Sequence, residues 1–137
     1  MHRYDLLGAM GGRVVRQAEF FAYTQTDREA IAACQQRPGP EVTTWMRAAP
    51  DDLRQVRATG VKESGILLSA SDYHIYLKMK RTRRQAAEEY IPVVRAARQA
   101  GIRPRCHPKA LTRPAPDRSV APLAPALQAR RAGANGP

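Results

Sequence analysis

Two pairs of side chains in this sequence are suited to bind an acidic ligand and to carry a proton. Asp72 and His74 follow one apolar segment, and Arg105 and His107 end another. Guanidinium and imidazole groups bind carboxylates, and imidazole also exchanges a proton near neutral pH. These four residues are the candidate substrate-binding site. The alternative is that polar residues stand there because strands end in water and because Ser and Asp favour turns.

A metal site is a second interpretation of part of this set. Cys106 and His107, with His74, would offer one thiol and two imidazoles, but on separate predicted strands and in no recognisable motif. The cysteines of the chain, Cys34 and Cys106, lack CxxC spacing. We therefore expect no disulfide framework and no metal held by this chain alone.

The chain is strongly basic, with 23 Lys and Arg against 12 Asp and Glu and a net charge of +11. Its densest basic run, residues 78–84, keeps a small nucleic-acid-binding protein open as an alternative. The same run fits the solvated start of a helix, and aromatic residues that stack on bases make up only 6% of the chain. We expect nucleic acid not to be the partner.

Short β-type segments alternate with helical segments along the first 107 residues. The predicted strands are 14–21, 41–46, 65–70 and 102–107, and the predicted helices are 27–36, 51–58 and 83–100. Thr26 is expected to cap the first helix, with Glu29 completing a capping box, and Thr82 to cap the last. This β-α-β-α-β-α-β order predicts an α/β fold with a parallel sheet.

The carboxyl ends of parallel strands lie at one edge of the sheet, where such folds bind ligands. Asp72, His74, Arg105 and His107 all fall at predicted strand ends, where both a binding site and ordinary contact with water would place polar residues, so both interpretations stay open. Trp45 lies inside a predicted strand and is expected in the core.

Residues 108–137 differ from the rest, with six prolines, eight alanines and no aromatic residue. Such a segment buries too little apolar surface to order itself, so it is predicted to be a disordered tail, with at most a short helix within residues 123–131. No run has the length of a membrane span and no signal peptide is recognisable. We expect a cytoplasmic protein with no membrane partner.

Four segments, TDREAIAAC, PEVTTWMRA, ESGILLSASDYHIYLKMKRTRRQAAEEY and AGIRPRCH, occur in this order. Over about residues 4–107 they resemble the 2-isopropylmalate synthase-like branch of the pyruvate carboxyltransferase family. The members are metal-dependent TIM barrels that condense an acyl-CoA with a 2-oxo acid or run related aldol-type cleavages. The resemblance implies that residues 1–107 are a partial (β/α)₈ barrel, about strands two to five with their helices.

The resemblance also implies which family features are missing. The family's divalent metal is held by an Arg-Asp-Gly-type motif and a His-x-His pair, and neither occurs in this sequence. Lys109 and Ala110 stand where the family has Glu and Asp, while Thr112 and Arg113 match it. We therefore assign no catalytic or metal-binding residue. A frameshifted or prematurely ended reading frame is our hypothesis for the tail, and the other two frames of the encoding DNA test it.

The predicted function is that of a fragment of a 2-isopropylmalate synthase-like acyltransferase of leucine biosynthesis, inactive alone. Its substrates in the family are an acyl-CoA and a 2-oxo acid, the latter bound by Arg105, His107, Asp72 and His74. Half a barrel would leave two strand edges and an apolar inner face open. We therefore expect an oligomer or pairing with a complementary barrel fragment, and a non-catalytic interaction module stays open as an alternative.

Overall fold

One parallel sheet of four strands, in the order β1-β2-β3-β4, organises the chain. The computed structural model describes residues 2–11, 14–109 and 124–129. The strands are β1 Gln17–Phe21, β2 Glu41–Arg47, β3 Glu63–Ser69 and β4 Arg103–Lys109. The helices are α1 His2–Ala9, α2 Gln25–Gln35, α3 Pro50–Ala58, a π-helix Tyr73–Lys78, α4 Arg83–Gln99 and α5 Ala124–Ala129. The predicted α/β architecture, consistent with part of a TIM barrel, is confirmed.

Helices α2, α3 and α4 connect successive strands and bury one face of the sheet. Alternate strand residues such as Val42, Met46, Ile66 and Leu68 point into this side. They join one apolar cluster with the buried sides of the helices. Helix α4 contributes the stripe expected from its 3–4 residue spacing, namely Ala86, Tyr90, Val93, Val94 and Ala97.

The helix caps agree with the sequence at α4 and differ at α2. Thr82 accepts a hydrogen bond from the backbone of Gln85, as the capping pattern predicted for α4. At α2 the cap is Thr24 rather than Thr26, because the helix begins two residues earlier than predicted. The Thr24 side chain accepts from Asp27 N, and the Asp27 carboxylate accepts from Thr24 N. Two overlapping Thr-x-x-acid patterns were present, and local spacing alone could not choose between them.

The uncovered face of the sheet corrects the expectation of an apolar inner face. Its positions alternate with those of the core and are mainly polar or charged, with Phe21, Trp45 and Leu67 as the large apolar side chains. By strand, the positions are Gln17, Glu19 and Phe21; Glu41, Thr43, Trp45 and Arg47; Glu63, Gly65, Leu67 and Ser69; Arg103, Arg105, His107 and Lys109. An apolar inner face was expected because residues 65–70, GILLSA, are mostly apolar. Only Leu67 among those residues gives this face a large apolar side chain, because alternation sends Ile66 and Leu68 to the core.

Strand β4 borders the sheet that the described residues form. Arg103 N donates to Lys62 O across the β3–β4 pair. Because backbone N–H groups alternate along a strand, the nitrogens of Pro104 and Pro108 lie on the outer edge of β4, and proline has no N–H to donate there. The outer edge of β4 therefore offers few donors to a further strand, as proline at a sheet edge usually does.

The segment after residue 107 is described in two pieces. Strand β4 continues to Lys109, two residues beyond the predicted boundary, and α5 falls inside the stretch where a short helix was allowed. Helix α5 lies against α4. The rest of the predicted tail lies outside the described residues. No helix in the described ranges has the length and apolar character needed to cross a membrane.

Candidate functional site

A cleft of about 490 Å³ lies at the carboxyl ends of β2, β3 and β4. Its apolar lining includes Leu67 and Met79. Its polar and charged lining residues are Arg47, Asp51, Asp52, Ser69, His74, Glu89, Tyr90 and Lys109. We call this feature the rim cleft. Side chains from three strand ends converge here because the strands are parallel, which is the usual position of a ligand site in such sheets.

A second cleft, of about 580 Å³, opens at the opposite ends of β3 and β4. Its charged lining is engaged internally: Arg103 contacts both Glu41 and Glu63, and Arg105 contacts Glu63. These pairs satisfy one another, and the amino ends of parallel strands are associated with stability rather than chemistry. The candidate site is therefore the rim cleft.

His74 reaches the rim cleft from the π-helix that follows β3. The buried Ser71 hydroxyl accepts from His74 N at 3.3 Å and lies 3.4 Å from His74 Nδ1. Lys80, with φ of 54°, turns the chain sharply after this segment. π-Helical turns occur often at functional sites, and no sequence signal marked this one. The structure thus places the predicted His74 in the cleft with a fixed partner.

Asp72, the second predicted residue of this loop, is directed elsewhere. Its carboxylate accepts from Arg83 Nε at 2.6 Å and from Arg83 Nη2 at 2.5 Å. These hydrogen bonds lower the pKa of Asp72 below its usual value. The pair ties the loop to the first turn of α4, and Asp72 does not line the rim cleft. Its role as a substrate ligand stays a prediction.

The basic run at residues 78–84 is largely committed to neighbouring acids. Arg81 pairs with Glu89 and Arg84 with Glu88, in addition to the Arg83–Asp72 pair. Three of its charges are therefore compensated locally, as in the solvated start of a helix. This favours the solvated start of a helix over a nucleic-acid-binding patch as the interpretation of the run.

Arg105 and His107 lie on the uncovered face and share a neighbour, Trp45. The Arg105 guanidinium contacts the carboxylates of Glu63, at 2.7 Å, and Glu19. It also lies 5.7 Å from the centroid of the Trp45 ring. The His107 ring centroid is 4.4 Å from that of Trp45. The two predicted residues are thus brought together, with an indole between them.

Trp45 corrects the expectation of a core residue, since it is half-buried on the uncovered face. Strand alternation was the signal that could have found it, because Trp45 shares its parity with Glu41 and Arg47 rather than with Val42 and Met46. Register was not available from the sequence, and an aromatic residue in a strand is most often core.

Arg47 is a rim residue that sequence reasoning missed. Its side chain donates to the buried Asp52 carboxylate at 2.8 and 2.9 Å, and Arg47 N donates at 3.1 Å. Burial opposes ionisation of Asp52, but these hydrogen bonds and the charge of Arg47 outweigh it and lower the pKa of the carboxyl. The guanidinium also lies 5.4 Å from the Tyr23 ring. Arg47 is therefore held in a defined position at the end of β2.

A divalent metal ion needs several ligating side chains placed close together. Across residues 2–11, 14–109 and 124–129, no group of three or more His, Cys, Asp and Glu residues is placed to hold a metal ion.

Comparison with known proteins gives a family match along nearly the whole chain. A model of the HMGL-like family matches residues 5–135. Citrate (Re)-synthase of Syntrophus aciditrophicus is 48% identical over 114 residues, which are 80% of this chain and 18% of that protein. For 2-phosphinomethylmalate synthase of Streptomyces hygroscopicus the identity is 42% over 121 residues, 83% of this chain and 28% of that protein. A probable 2-isopropylmalate synthase of Ignicoccus hospitalis is 29% identical over 98 residues, 71% of this chain and 25% of that protein.

The matches cover a small part of each relative, and the family match reaches beyond the segment that carries the sequence motifs. The chain spans less than a third of the length of each of these relatives. The family match continues to residue 135, whereas the motifs place the resemblance in residues 4–107. Family likeness therefore extends into the segment that composition predicts to be disordered.

Proposed function

The chain belongs to the HMGL-like family, and from that premise we propose that it supplies the acid-binding part of a condensing acyltransferase. Such an enzyme joins the acyl group of an acyl-CoA to the carbonyl carbon of a 2-oxo acid. The rim cleft is the observation that carries the proposal, because it places His74 and Lys109 at the strand ends where family barrels bind substrate. Within the predicted set, His74 lines the cleft, and His107, which pairs in register with the lining residue Leu67, is the second proposed substrate contact.

Charge supports an acidic ligand in the rim cleft. Three acids line it, Asp51, Asp52 and Glu89, and each is paired with an arginine, namely Arg54, Arg47 and Arg81. Lys109 forms no ion pair with any residue in the described ranges. A carboxylate entering the cleft would gain charge-assisted hydrogen bonds from this ammonium group and from the neighbouring imidazole.

The names of the relatives guide the choice of acceptor. Citrate carries three carboxylates, and 2-phosphinomethylmalate carries two carboxylates and a phosphinate. The relatives named for these products are 48% and 42% identical to this chain, against 29% for the 2-isopropylmalate synthase. The favoured acceptor is therefore a 2-oxo acid with a second acidic group. A branched apolar acceptor, and with it leucine biosynthesis, is the second candidate, because Leu67 and Met79 give the cleft an apolar wall.

Turnover is proposed to need more than the described residues. The divalent metal that the family uses would supply charge stabilisation of the enolate, and its ligands are not assembled in the described ranges. We expect no condensation by this chain alone. Release of free thiol from an acyl-CoA that depends on an added divalent cation, and is lost on chelation, would overturn that expectation.

Assembly and location follow as further parts of the proposal. Strand β1 ends the sheet on the side opposite β4 and carries no proline, so a complementary barrel fragment or a second copy would pair there more readily. Cys34 and Cys106 form no disulfide, which supports a reducing compartment, and we place the protein in the cytoplasm.

Calorimetric titration of the full chain with citrate and with 2-isopropylmalate tests the proposal. We expect citrate to bind more tightly, and Lys109→Gln and His74→Gln each to weaken binding about tenfold through loss of one charge-assisted hydrogen bond. Lys78→Gln is the matched control, since Lys78 does not line the rim cleft. Failure of both acids to bind, or equal binding by all three variants, would contradict the proposal.

A further inference from the structure

The indole of Trp45 lies flat against the backbone of the neighbouring strand. Trp45 pairs in register with Gly65 on β3. A Cβ atom at Gly65 would lie 2.6 Å from Trp45 Cε3 and 2.8 Å from Cζ3, much closer than non-bonded carbons approach. The ring therefore occupies the space that a side chain on β3 would otherwise fill. Glycine is required at this position because of the ring, not because of its own backbone angles.

Polar contacts then set the orientation of the ring within that space. Trp45 Nε1 donates to the Glu19 carboxylate on β1. The other oxygen of Glu19 accepts from Arg105, whose guanidinium lies over the indole and is also held by Glu63. Side chains from β1 and β4 thus contact Trp45, and Glu63 of β3 holds the arginine in place. A tryptophan with its N–H bonded and its face against a cation has little freedom to rotate.

The indole of Trp45 also contacts the imidazole of His107. The two ring centroids are 4.4 Å apart with an interplanar angle of 55°. In register, His107 pairs with Leu67 of the rim cleft, one alternation step beyond the Gly65–Arg105 pair. Trp45 therefore separates the Arg105 ion-pair network from the residues at the strand ends. His107 and Trp45 lie beside the rim cleft rather than in its lining, so a ligand would reach them by extending past Leu67 onto the uncovered face.

We propose that Trp45 is the floor of the acid-binding site and the positioning residue for His107. In this arrangement Arg105, one of the predicted substrate ligands, acts as a support of the indole. The carbon chain of the acid packs on the ring while its carboxylates contact His107 and the cations of the rim cleft. This inference rests on the proposed function, because it assumes that an acid binds at the strand ends.

A double-mutant cycle in the full chain tests the arrangement, with citrate as the probe and calorimetry as the readout. Trp45→Leu should weaken binding about tenfold, Gly65→Ala should weaken it by a similar factor by displacing the ring, and the double variant should be no weaker than Trp45→Leu. Trp45→Phe should recover part of the loss, since an aromatic floor is restored. Glu19→Ala removes the acceptor of the Trp45 N–H without a steric clash and serves where Gly65→Ala fails to fold.

Fluorescence supplies an independent readout, because Trp45 is the only tryptophan in the chain. Citrate should change its emission with the dissociation constant that calorimetry gives, and His107→Gln should abolish the change. If wild-type chain binds citrate but the emission stays constant and Trp45→Leu binds equally well, this inference is wrong and the proposed function stands. If wild-type chain binds no acid, both are overturned.

Discussion

The two faces of the sheet are built from the same strands and differ in almost every property. On the helix-covered face, Met46, Ile66 and Leu68 are fully buried in one apolar cluster. On the uncovered face, Glu19, Glu63 and Arg105 form ion pairs around a tryptophan. The alternation of a strand lets one segment serve both purposes, because successive side chains point to opposite sides.

This difference separates stability from recognition. Apolar burial is the main favourable contribution to folding, and it is concentrated where α2, α3 and α4 pack on the sheet. The uncovered face carries cations, acids and imidazoles instead, and most of these side chains are exposed or only partly buried, with Glu63 as a buried exception. Substitutions on the two faces should therefore affect different measurements, and the following predictions use that contrast.

The largest effect is expected from Ile66→Ala on the covered face. Ile66 is fully buried, and deleting its side chain should cost about 2–5 kcal/mol in the free energy of unfolding. The control is Leu67→Ala, one residue along β3 and half-buried on the other face, with a cost below about 1.5 kcal/mol. Urea unfolding followed by circular dichroism measures both. Equal losses would mean that the uncovered face also contributes a core.

A smaller effect is expected from Glu63→Gln on the uncovered face. Glu63 is buried and contacts Gln17, Arg103 and Arg105, so removing its charge weakens several hydrogen bonds at once. We expect a loss of about 1–3 kcal/mol in unfolding free energy.

Glu41→Gln is the matched control, because Glu41 contacts Gln17 and Arg103 but is more exposed than Glu63. Its loss should be below about 1 kcal/mol and should shrink further at high salt. A Glu63 variant as stable as wild type would show that the network adds no stability and serves only to orient Trp45.

The smallest effect concerns the helices of the covered face. Thr24→Ala removes the cap of α2 and should cost about 1 kcal/mol, whereas Thr26→Ala should be close to neutral. Thermal unfolding of both variants, followed by circular dichroism, decides between the two threonines. A larger loss of stability from Thr26→Ala than from Thr24→Ala would show that Thr26 caps α2, as the sequence pattern suggested.

The elements and their order were predictable because they depend on local signals. Proline and glycine positions, apolar spacing and the Thr82 cap located α4 and the strands to within a few residues. The π-helix at Tyr73–Lys78 was missed because it has no distinctive composition. Trp45 and Arg47 were missed because their importance depends on which face of β2 they occupy.

By itself, the sequence determined an α/β chain with parallel strands, a basic character and candidate ligands at the strand ends. These follow from periodicity and residue chemistry, which act over a few neighbouring positions. Only the tertiary structure decided that Asp72 binds Arg83, that Arg105 lies over an indole, and that His74 and Lys109 line one cleft. Contacts of this kind join residues that are far apart in the chain; Glu19 and Arg105, for example, are 86 positions apart. Strand register sets these distances, and register follows from packing the whole sheet at once.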